Sequence, residues 1–323
     1  MSSEARAELI ADRGKAAEGE DFFRSRPFLE AEGVTHTLRI EADAVELLAP
    51  LIVREIPGGD ARDAISPYGY PGLSVADRSI EGSIDTQKLR SAVDPAEADF
   101  SATGLVSVFI RHALGEPLLA GATVRNTVQI ADPALPPKRR GSDRNRINKN
   151  RRVGYEVRIV PGPETGAAER GGFLAAYEET MRRAGAAERY LFGAAYFNRI
   201  LESDAAWLAL ALAPGGDVAA ASIAVRSDGF LHYYLSGSAD AQLRDSPMKN
   251  LVDALAERAA GLGLPLNLGG GISPGDPLEE FKRGFANREQ AWHTSEVVCD
   301  PAAYERLSAG HSQTGFFPLY RSR

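Results

Sequence analysis

Residues 206–235 read AWLALALAPGGDVAAASIAVRSDGFLHYYL, and this stretch predicts three consecutive antiparallel strands. Two apolar runs at 206–213 and 218–225 flank the turn residues 214–217. Asp228-Gly229 is a hairpin signal, and a third strand is expected at 230–235. The stretch therefore predicts the centre of a mixed α/β fold.

The pattern continues with alternating helices and strands toward the end of the chain. Ser246-Pro247 predicts a helix with a serine N-cap and proline at its first position, closing near 261–263. A short buried strand at 266–268 follows. Asp276-Pro277 repeats the cap signature before a short helix that contains Phe281 and Lys282. A strand at 292–299 and a helix at 301–307 are expected last.

The first half shows a looser version of the same order. Strands are predicted at 34–40, 44–56, 106–112, 124–130 and 155–160, with a basic helix at 138–152 that Gly154 stops. The glycine- and proline-rich loop 161–172 is the expected boundary. The sequence therefore predicts two similar α/β (α+β) domains, 1–165 and 166–323.

Composition and cysteine content narrow the class of protein. With 44% hydrophobic and 25% charged residues, the chain of 323 residues is globular. The opening residues lack the apolar core of a secretion signal, and no apolar run approaches the roughly 20 residues of a membrane span. Cys299 is the single cysteine, and the five histidines lack metal-ligand spacing. We expect a cytoplasmic protein with no membrane association and no metal site.

One segment differs in charge from the rest of the chain. The net charge is −7, yet residues 138–152 contain only one acid, Asp143, against eight basic side chains. A concentrated basic element on an acidic body can direct an anionic ligand to one face, and RNA or another polyanion is favoured over the alternative of a solvated helix. The basic residues are Lys138, Arg139, Arg140, Arg144, Arg146, Lys149, Arg151 and Arg152.

Several phrases together resemble the Fem family of aminoacyltransferases, which are built from two domains of the GNAT acetyltransferase type. They cover most of the chain in the expected order, although each alone is weak. The phrases are SPYGYPG (66–72), VFIR (108–111), RRVGY (151–155), YEETMRR (177–183), HYYLSG (232–237), NLGGG (267–271) and FKRGF (281–285).

The resemblance implies transfer of an amino acid from aminoacyl-tRNA to an amine, with no other cofactor. It places Phe281 and Lys282 in the acyl-transfer site and Tyr233 close by. Further substrate contacts are expected from residues in or near the quoted phrases: Tyr68, Tyr70, Arg111, Tyr177, Arg183, Tyr196, Gly269, Gly270 and Gly271.

The chemistry of ester aminolysis explains why these residue types suit an acyl-transfer site. Negative charge develops on the carbonyl oxygen and then on the leaving ribose oxygen, so the cation of Lys282 would stabilise the transition state. Without the resemblance, such a lysine is more often a surface charge. Tyr233 and Tyr234 are adjacent on a strand and point to opposite faces, so at most one belongs to the site. Asp276 is interpreted as a helix cap.

The acceptor and the donor leave alternatives open. Family members that use a nucleotide-linked muropeptide resemble one another in a phrase near the N-terminus that is followed by a lysine for the phosphates. Residues 22–29 match this phrase poorly and have no lysine behind them, so Arg24 or Arg26 would have to replace it. A peptidoglycan precursor and a peptide or peptidyl-nucleoside antibiotic intermediate are therefore both candidate acceptors. The rival reactions are acetyl-CoA-dependent N-acetylation, whose pyrophosphate loop is missing at 236–246, and non-catalytic binding of RNA or peptide.

Overall fold

The protein is described by a computed structural model, which covers residues 5–16, 21–42, 45–76, 93–273 and 275–322. Its strands are β1 (Arg6–Ile10), β2 (His36–Ala42), β3 (Val45–Glu55), β4 (Arg62–Ile65), β5 (Ser74–Ala76), β6 (Ser107–Arg111), β7 (Thr123–Ala131), β8 (Glu156–Pro161), β9 (Ala206–Leu212), β10 (Val218–Ser227), β11 (Phe230–Ser238), β12 (Leu266–Gly269) and β13 (Arg288–Val298). Its helices are α1 (Arg26–Ala31), α2 (Gly141–Arg152), α3 (Ala167–Ala184), α4 (Ala194–Ile200), α5 (Met248–Gly261), α6 (Pro277–Arg283) and α7 (Pro301–Ser308).

The chain divides into two units. Unit 1 comprises the described parts of 1–19, 32–126 and 291–323, and unit 2 those of 20–31 and 127–290. The predicted boundary at 161–172 lies inside unit 2, because β8 pairs along its whole length with β9. The N-terminal segment 20–31 also belongs to unit 2, since Phe22, Phe23 and Phe28 are fully buried there.

Unit 2 contains the predicted meander. Strands β8, β9, β10 and β11 pair antiparallel, β11 pairs parallel with β12, and β12 pairs antiparallel with β7. Asp228 (φ 49°) and Gly229 (φ 76°) form the two-residue turn that the sequence predicts between β10 and β11. Leu251, Val252 and Leu255 of α5 are fully buried in the core on one face of this sheet.

Small side chains let helix α3 approach the opposite face closely. A Cβ added at Gly237 in β11 would lie 2.3 Å from the carbonyl oxygen of Ala176 in α3, and one added at Gly172 would lie 2.5 Å from a methyl of Val218. Alanines occupy much of β10, where Ala219, Ala220 and Ala221 are fully buried. The sequence therefore places a tightly packed helix–sheet–helix arrangement in this unit.

Unit 1 is built in a related way. Strands β1, β2, β3 and β4 pair antiparallel in that order, β4 pairs parallel with β6, and β6 pairs antiparallel with β13. Its core includes Leu38, Ile40, Leu51, Val108 and Ile110. Each unit thus has an antiparallel run joined to a parallel pair, which confirms the prediction of two mixed sheets.

The helix caps test the local predictions. Asp276 accepts a hydrogen bond from the Glu279 amide at the start of α6, as predicted. The prediction for Ser246 is wrong, because its backbone is left-handed (φ 50°) and its side chain makes no cap hydrogen bond to α5. Residue 44, in the predicted strand 44–56, lies outside the described residues. None of the described helices is both long and apolar enough to cross a bilayer.

Candidate acyl-transfer site

Lys282 lies near the end of α6 with only 8% of its surface exposed. Its Nζ donates a hydrogen bond to the carbonyl oxygen of Gly270 at 2.6 Å, and among the described residues it has no ion pair. Burial lowers the pKa of Lys282 from 10.5 to about 8, and the nearby Asp276 partly opposes this change. A buried ammonium group whose pKa is strongly lowered by desolvation is typical of a functional position.

Gly270 follows directly after β12, and a chain of hydrogen bonds fixes this end of the strand. Asn267 Oδ1 accepts from the Gly269 amide at 2.8 Å, and Asn267 Nδ2 donates to Nδ1 of the buried His232 at 3.0 Å. His232 Nε2 donates in turn to the carbonyl of Ser227 at 3.1 Å. Burial lowers the pKa of His232 to about 4, so this imidazole is neutral and its tautomer is fixed.

The parallel pairing of β11 with β12 ends at this point. Their pairing covers Leu231 with Leu266 and His232 with Asn267, whereas β11 continues to Ser238. On that edge, β12 therefore does not satisfy the backbone groups of β11 after His232. A strand edge that its parallel neighbour leaves unpaired, close to Gly270 and Lys282, can accept an extended acyl or peptide group.

Tyr233 and Phe281 lie on the same side of the sheet as α5. Both pack against the core cluster that contains Leu268 and Phe285, and the rings of Phe281 and Phe285 are 5.6 Å apart. Burial raises the pKa of Tyr233 to about 12, against a smaller opposing effect of its hydrogen bond with Ser236. Tyr233 is therefore a hydroxyl donor at neutral pH and not a base. The structure thus brings the three predicted catalytic residues into one region of unit 2.

Three predicted substrate contacts of unit 2 lie elsewhere. Tyr177 is 2% exposed and its hydroxyl donates to the carbonyl of Tyr190, so it belongs to the core. The hydroxyl of Tyr196 is 3.0 Å from that of Tyr234, the neighbour of Tyr233 that points to the opposite face. Arg183 pairs with Asp240 at the end of α3. The structure does not bring these three residues together with Lys282.

The predicted contacts of unit 1 surround the loop 66–72. The Arg111 guanidinium donates to the Ser66 carbonyl at 2.6 Å and lies 5.3 Å from the centre of the Phe109 ring. The Tyr70 ring lies 5.5 Å from that of Trp292. The backbone amide of Tyr68 donates to the carboxylate of Glu32 at 2.7 Å. Tyr68, Tyr70 and Arg111 therefore form one neighbourhood within unit 1.

The eight basic residues of 138–152 separate into two groups. Four are paired with acids of unit 2: Arg139 and Arg151 with the buried Asp253, Arg140 with Glu280, and Arg146 with Asp245. The other four are exposed and have no ion pair among the described residues: Lys138, Arg144, Lys149 and Arg152. Asp143 is buried and pairs with Lys249 at 2.6 Å, so it does not offset the exposed charges.

Arg144, Lys149 and Arg152 share the exposed side of α2, and we call them the basic stripe. They are spaced at i, i+5 and i+8, so they span about 12 Å along the helix at 1.5 Å per residue. Asn145 and Asn148 on the same side are exposed too. A stripe of cations and amides with no acid on it is suited to phosphate groups.

Arg24 and Arg26 differ in what they can bind. Arg24 is 6% exposed and pairs with Asp21 at 2.7 Å and with Asp228 at 2.6 Å. Its charge is therefore used within unit 2, which disfavours Arg24 as the replacement for a phosphate-binding lysine. The Arg26 side chain is 79% exposed and pairs with Glu30.

The segment between β11 and α5 does not form an anion cradle. It contains the 3-10 helix Asp240–Asp245, whose terminal carboxylates pair with Arg182 and Arg146. Its sequence 239–247 contains no glycine, and Pro247 has no amide hydrogen to offer. A pyrophosphate at this place would meet two acids instead of free amides.

Sequence reasoning missed the residues that hold the site together. Asn267 and His232 each begin one of the phrases that carry the resemblance, NLGGG and HYYLSG, but the sequence indicates no role for either residue. Their contact depends on the pairing of β11 with β12, which joins residues 35 positions apart. In the part of the chain that the structure describes, no three potential metal ligands cluster.

Comparisons with known proteins support the fold of this chain. Residues 137–283, which include β8 to β12 and Lys282, match the family described as acetyltransferase (GNAT) domain. No curated protein sequence matches the chain.

Three solved structures share the fold. A crystal structure of FemX has a TM-score of 0.59 at 11% identity, covering 93% of this chain and 99% of that one. L-PGS from Bacillus licheniformis has a TM-score of 0.53 at 14% identity, covering 79% and 81%. The C-terminal domain (DUF2156) of a putative lysylphosphatidylglycerol synthetase from Agrobacterium fabrum has a TM-score of 0.55 at 14% identity, covering 90% and 94%. The predicted GNAT-type fold, like that of a Fem protein, is confirmed.

Proposed function

We propose that this acyltransferase moves an amino acid from aminoacyl-tRNA to the amino group of a peptide-type acceptor and forms a peptide bond. The observation that carries the proposal is the buried ammonium group of Lys282, which makes no ion pair among the described residues and lies by the end of β12, where its pairing with β11 stops. The likeness in fold to FemX and to the two synthetase structures supports it.

In the proposed reaction the acceptor amine attacks the ester carbonyl, and the C–O bond to the ribose then breaks. Lys282 has three N–H donors, of which one is directed at Gly270, so two remain for the carbonyl oxygen and the leaving ribose oxygen. Phe281 and Tyr233 form the wall of the pocket, and the glycines 269–271 let the donor approach the backbone. The proton of the amine passes to the ribose oxygen directly or through water.

The basic stripe supports tRNA as the donor. Its three side chains have no acidic partner within the described ranges, whereas the paired arginines of the same segment fasten α2 to the rest of unit 2. We propose that the stripe binds backbone phosphates of the acceptor stem. Because aminoacyl-tRNA is made in the cytoplasm, we place the reaction there.

Substitution of the stripe tests this part. The triple variant Arg144→Gln/Lys149→Gln/Arg152→Gln should weaken tRNA binding about 10- to 100-fold and reduce the slope of log K against log[salt] by about 2 to 3. The matched control removes three exposed arginines that have acidic partners, Arg26, Arg158 and Arg182. Equal losses in both triple variants would show that only the net charge matters.

The acceptor is proposed to be a peptide or peptidyl-nucleoside of antibiotic biosynthesis, or a peptidoglycan precursor. Engagement of Arg24 with Asp21 and Asp228 leaves the N-terminal segment without a buried cation for a nucleotide diphosphate. This favours an acceptor without that group. The loop around Tyr68, Tyr70 and Arg111 is the proposed contact region for it.

N-acetylation by acetyl-CoA is the second candidate, because residues 137–283 match an acetyltransferase family. The acids at both ends of the 3-10 helix Asp240–Asp245 argue against a pyrophosphate there. Charged tRNA and acetyl-CoA should be offered separately with a panel of amines. Transfer from charged tRNA that ribonuclease abolishes supports the proposal, transfer from acetyl-CoA favours the rival, and consumption of neither favours a non-catalytic binder.

A further inference from the structure

Asp276 has more hydrogen bonds than a helix cap requires. One is the cap itself, in which Oδ1 accepts from the Glu279 amide at 2.7 Å. The other oxygen, Oδ2, accepts from the amides of Ile272 at 2.6 Å and Ser273 at 3.0 Å. The carboxylate therefore ties the start of α6 back to the loop that follows β12.

The loop is shaped around this carboxylate. A Cβ added at Gly271 would lie 2.7 Å from Oδ1 of Asp276 and 2.9 Å from the Ser273 carbonyl. Gly269 has a positive φ of 75°, a conformation that favours glycine. Glu279 adds a second fastening, since its Oε2 accepts from the Gly275 amide at 2.8 Å. The glycines thus let the chain wrap closely around Asp276.

This wrapped loop begins at Gly270, whose carbonyl is the acceptor for Lys282 Nζ. The other charged groups around α6 are occupied elsewhere. Glu279 and Glu280 pair with Arg283, Glu280 also pairs with Arg140, and Asp143 of α2 pairs with Lys249 of α5. Asp276 is therefore the carboxylate whose charge acts on Lys282.

We infer that Asp276 is a positioning residue for Lys282: through its bonds to the Ile272, Ser273 and Glu279 amides it holds the Gly270 carbonyl against the lysine. This inference rests on the proposed function only for the catalytic value of Lys282. The structural link between the two residues stands on the contacts themselves.

The link has a measurable electrostatic consequence. Burial lowers the pKa of Lys282 to about 8, while the negative charge of Asp276 raises it. Hydrogen bonds from backbone amides, that of Glu279 foremost, lower the pKa of Asp276, so its charge is present at neutral pH. Removing that charge should lower the pKa of Lys282 further, and fewer molecules would carry the ammonium group at pH 7 to 8.

The test follows the six lysines of the chain by NMR with ¹³Cε-labelled lysine. The Lys282 signal is assigned by its loss in Lys282→Arg. Asp276→Asn is the informative variant, because asparagine also caps helices and keeps the size of the side chain. Asp300→Asn is the matched control: Asp300 caps α7 before Pro301 by accepting from the Ala303 amide at 2.9 Å, in unit 1.

We expect the Lys282 titration midpoint to fall by about one pH unit in Asp276→Asn and to stay unchanged in Asp300→Asn. Gly271→Ala, which pushes the carboxylate away, should move the midpoint in the same direction and serves if Asp276→Asn does not fold. An unchanged midpoint in both unit 2 variants overturns the inference. Since this readout needs no substrate, a moved midpoint supports the inference even if Lys282→Met retains full transfer activity, a result that would instead refute the proposed function.

Discussion

Replacement of Lys282 by methionine should stabilise unit 2 while it slows transfer by about 100- to 1,000-fold. The lysine is 8% exposed and its pKa is lowered from 10.5 to about 8 by burial. At about 1.4 kcal/mol per pH unit, the buried ammonium group costs about 3 kcal/mol at pH 7. The variant also loses the hydrogen bond to Gly270, which lowers its free energy of unfolding by about 1 kcal/mol. The expected gain in the free energy of unfolding is therefore about 2 kcal/mol at pH 7.

The dependence of this gain on pH is the sharper part of the prediction. Because the pKa of Lys282 is lower in the folded state, the unfolded chain binds more protons between about pH 8 and 10.5, and the wild type is stabilised as pH rises. The variant lacks this effect. The difference between the two proteins should shrink by about 2 kcal/mol between pH 7 and pH 9.5.

Urea unfolding followed by tryptophan fluorescence measures this difference for one unit at a time. The chain has two tryptophans, Trp207 in unit 2 and Trp292 in unit 1. In a Trp292→Phe background the signal comes from unit 2 alone, which avoids treating the two units as a single transition. A difference that does not change between pH 7 and pH 9.5 would refute the account of Lys282 as a buried charge.

Three further predictions concern unit 2. Lys282→Arg keeps a charge that does not titrate near neutrality, so the fall in kcat expected for the wild type as pH rises through about 8 should disappear from its pH–rate profile. Gly237→Ala places a Cβ 2.3 Å from a backbone carbonyl of α3 and should lower the free energy of unfolding by about 3 kcal/mol. Gly171→Ala, which has open space around the new methyl group, should raise the free energy of unfolding by up to about 1 kcal/mol. Thermal unfolding measures both changes. Asn267→Ala removes the hydrogen-bond partner of the His232 ring and of the Gly269 amide, and should lower the free energy of unfolding by about 2 kcal/mol. In steady-state assays kcat should fall about tenfold. An unchanged kcat would show that this network does not support the site.

The sequence predicted features that depend on neighbouring residues. The turn at Asp228-Gly229 and the cap at Asp276-Pro277 follow from the conformations and hydrogen bonds of a few consecutive residues. The strands of the meander follow from their apolar runs. The cap at Ser246 failed because a serine before proline satisfies the same pattern in a left-handed turn, where its side chain does not reach the helix amides.

Features that depend on contacts between residues far apart in the sequence could not be predicted from local patterns. Tyr177 lies in a helix with an apolar stripe, and only the packing of α3 against Phe197 of α4 shows that it is core. The division of the basic segment depends on Asp245 and Asp253, about 100 positions further along the chain. Only the family resemblance indicates Lys282, because no pattern in a single sequence predicts its burial or its hydrogen bond to Gly270.

The rate of amino-acid transfer in a single turnover shows whether Lys282 stabilises the transition state. Labelled aminoacyl-tRNA and an accepted amine should be mixed with excess wild type, Lys282→Arg or Lys282→Met, and the label on the amine followed with time. We expect the transfer rate of Lys282→Met to be lower by about 100- to 1,000-fold, while Lys282→Arg retains part of the wild-type rate. Equal rates for the wild type and Lys282→Met would contradict this expectation.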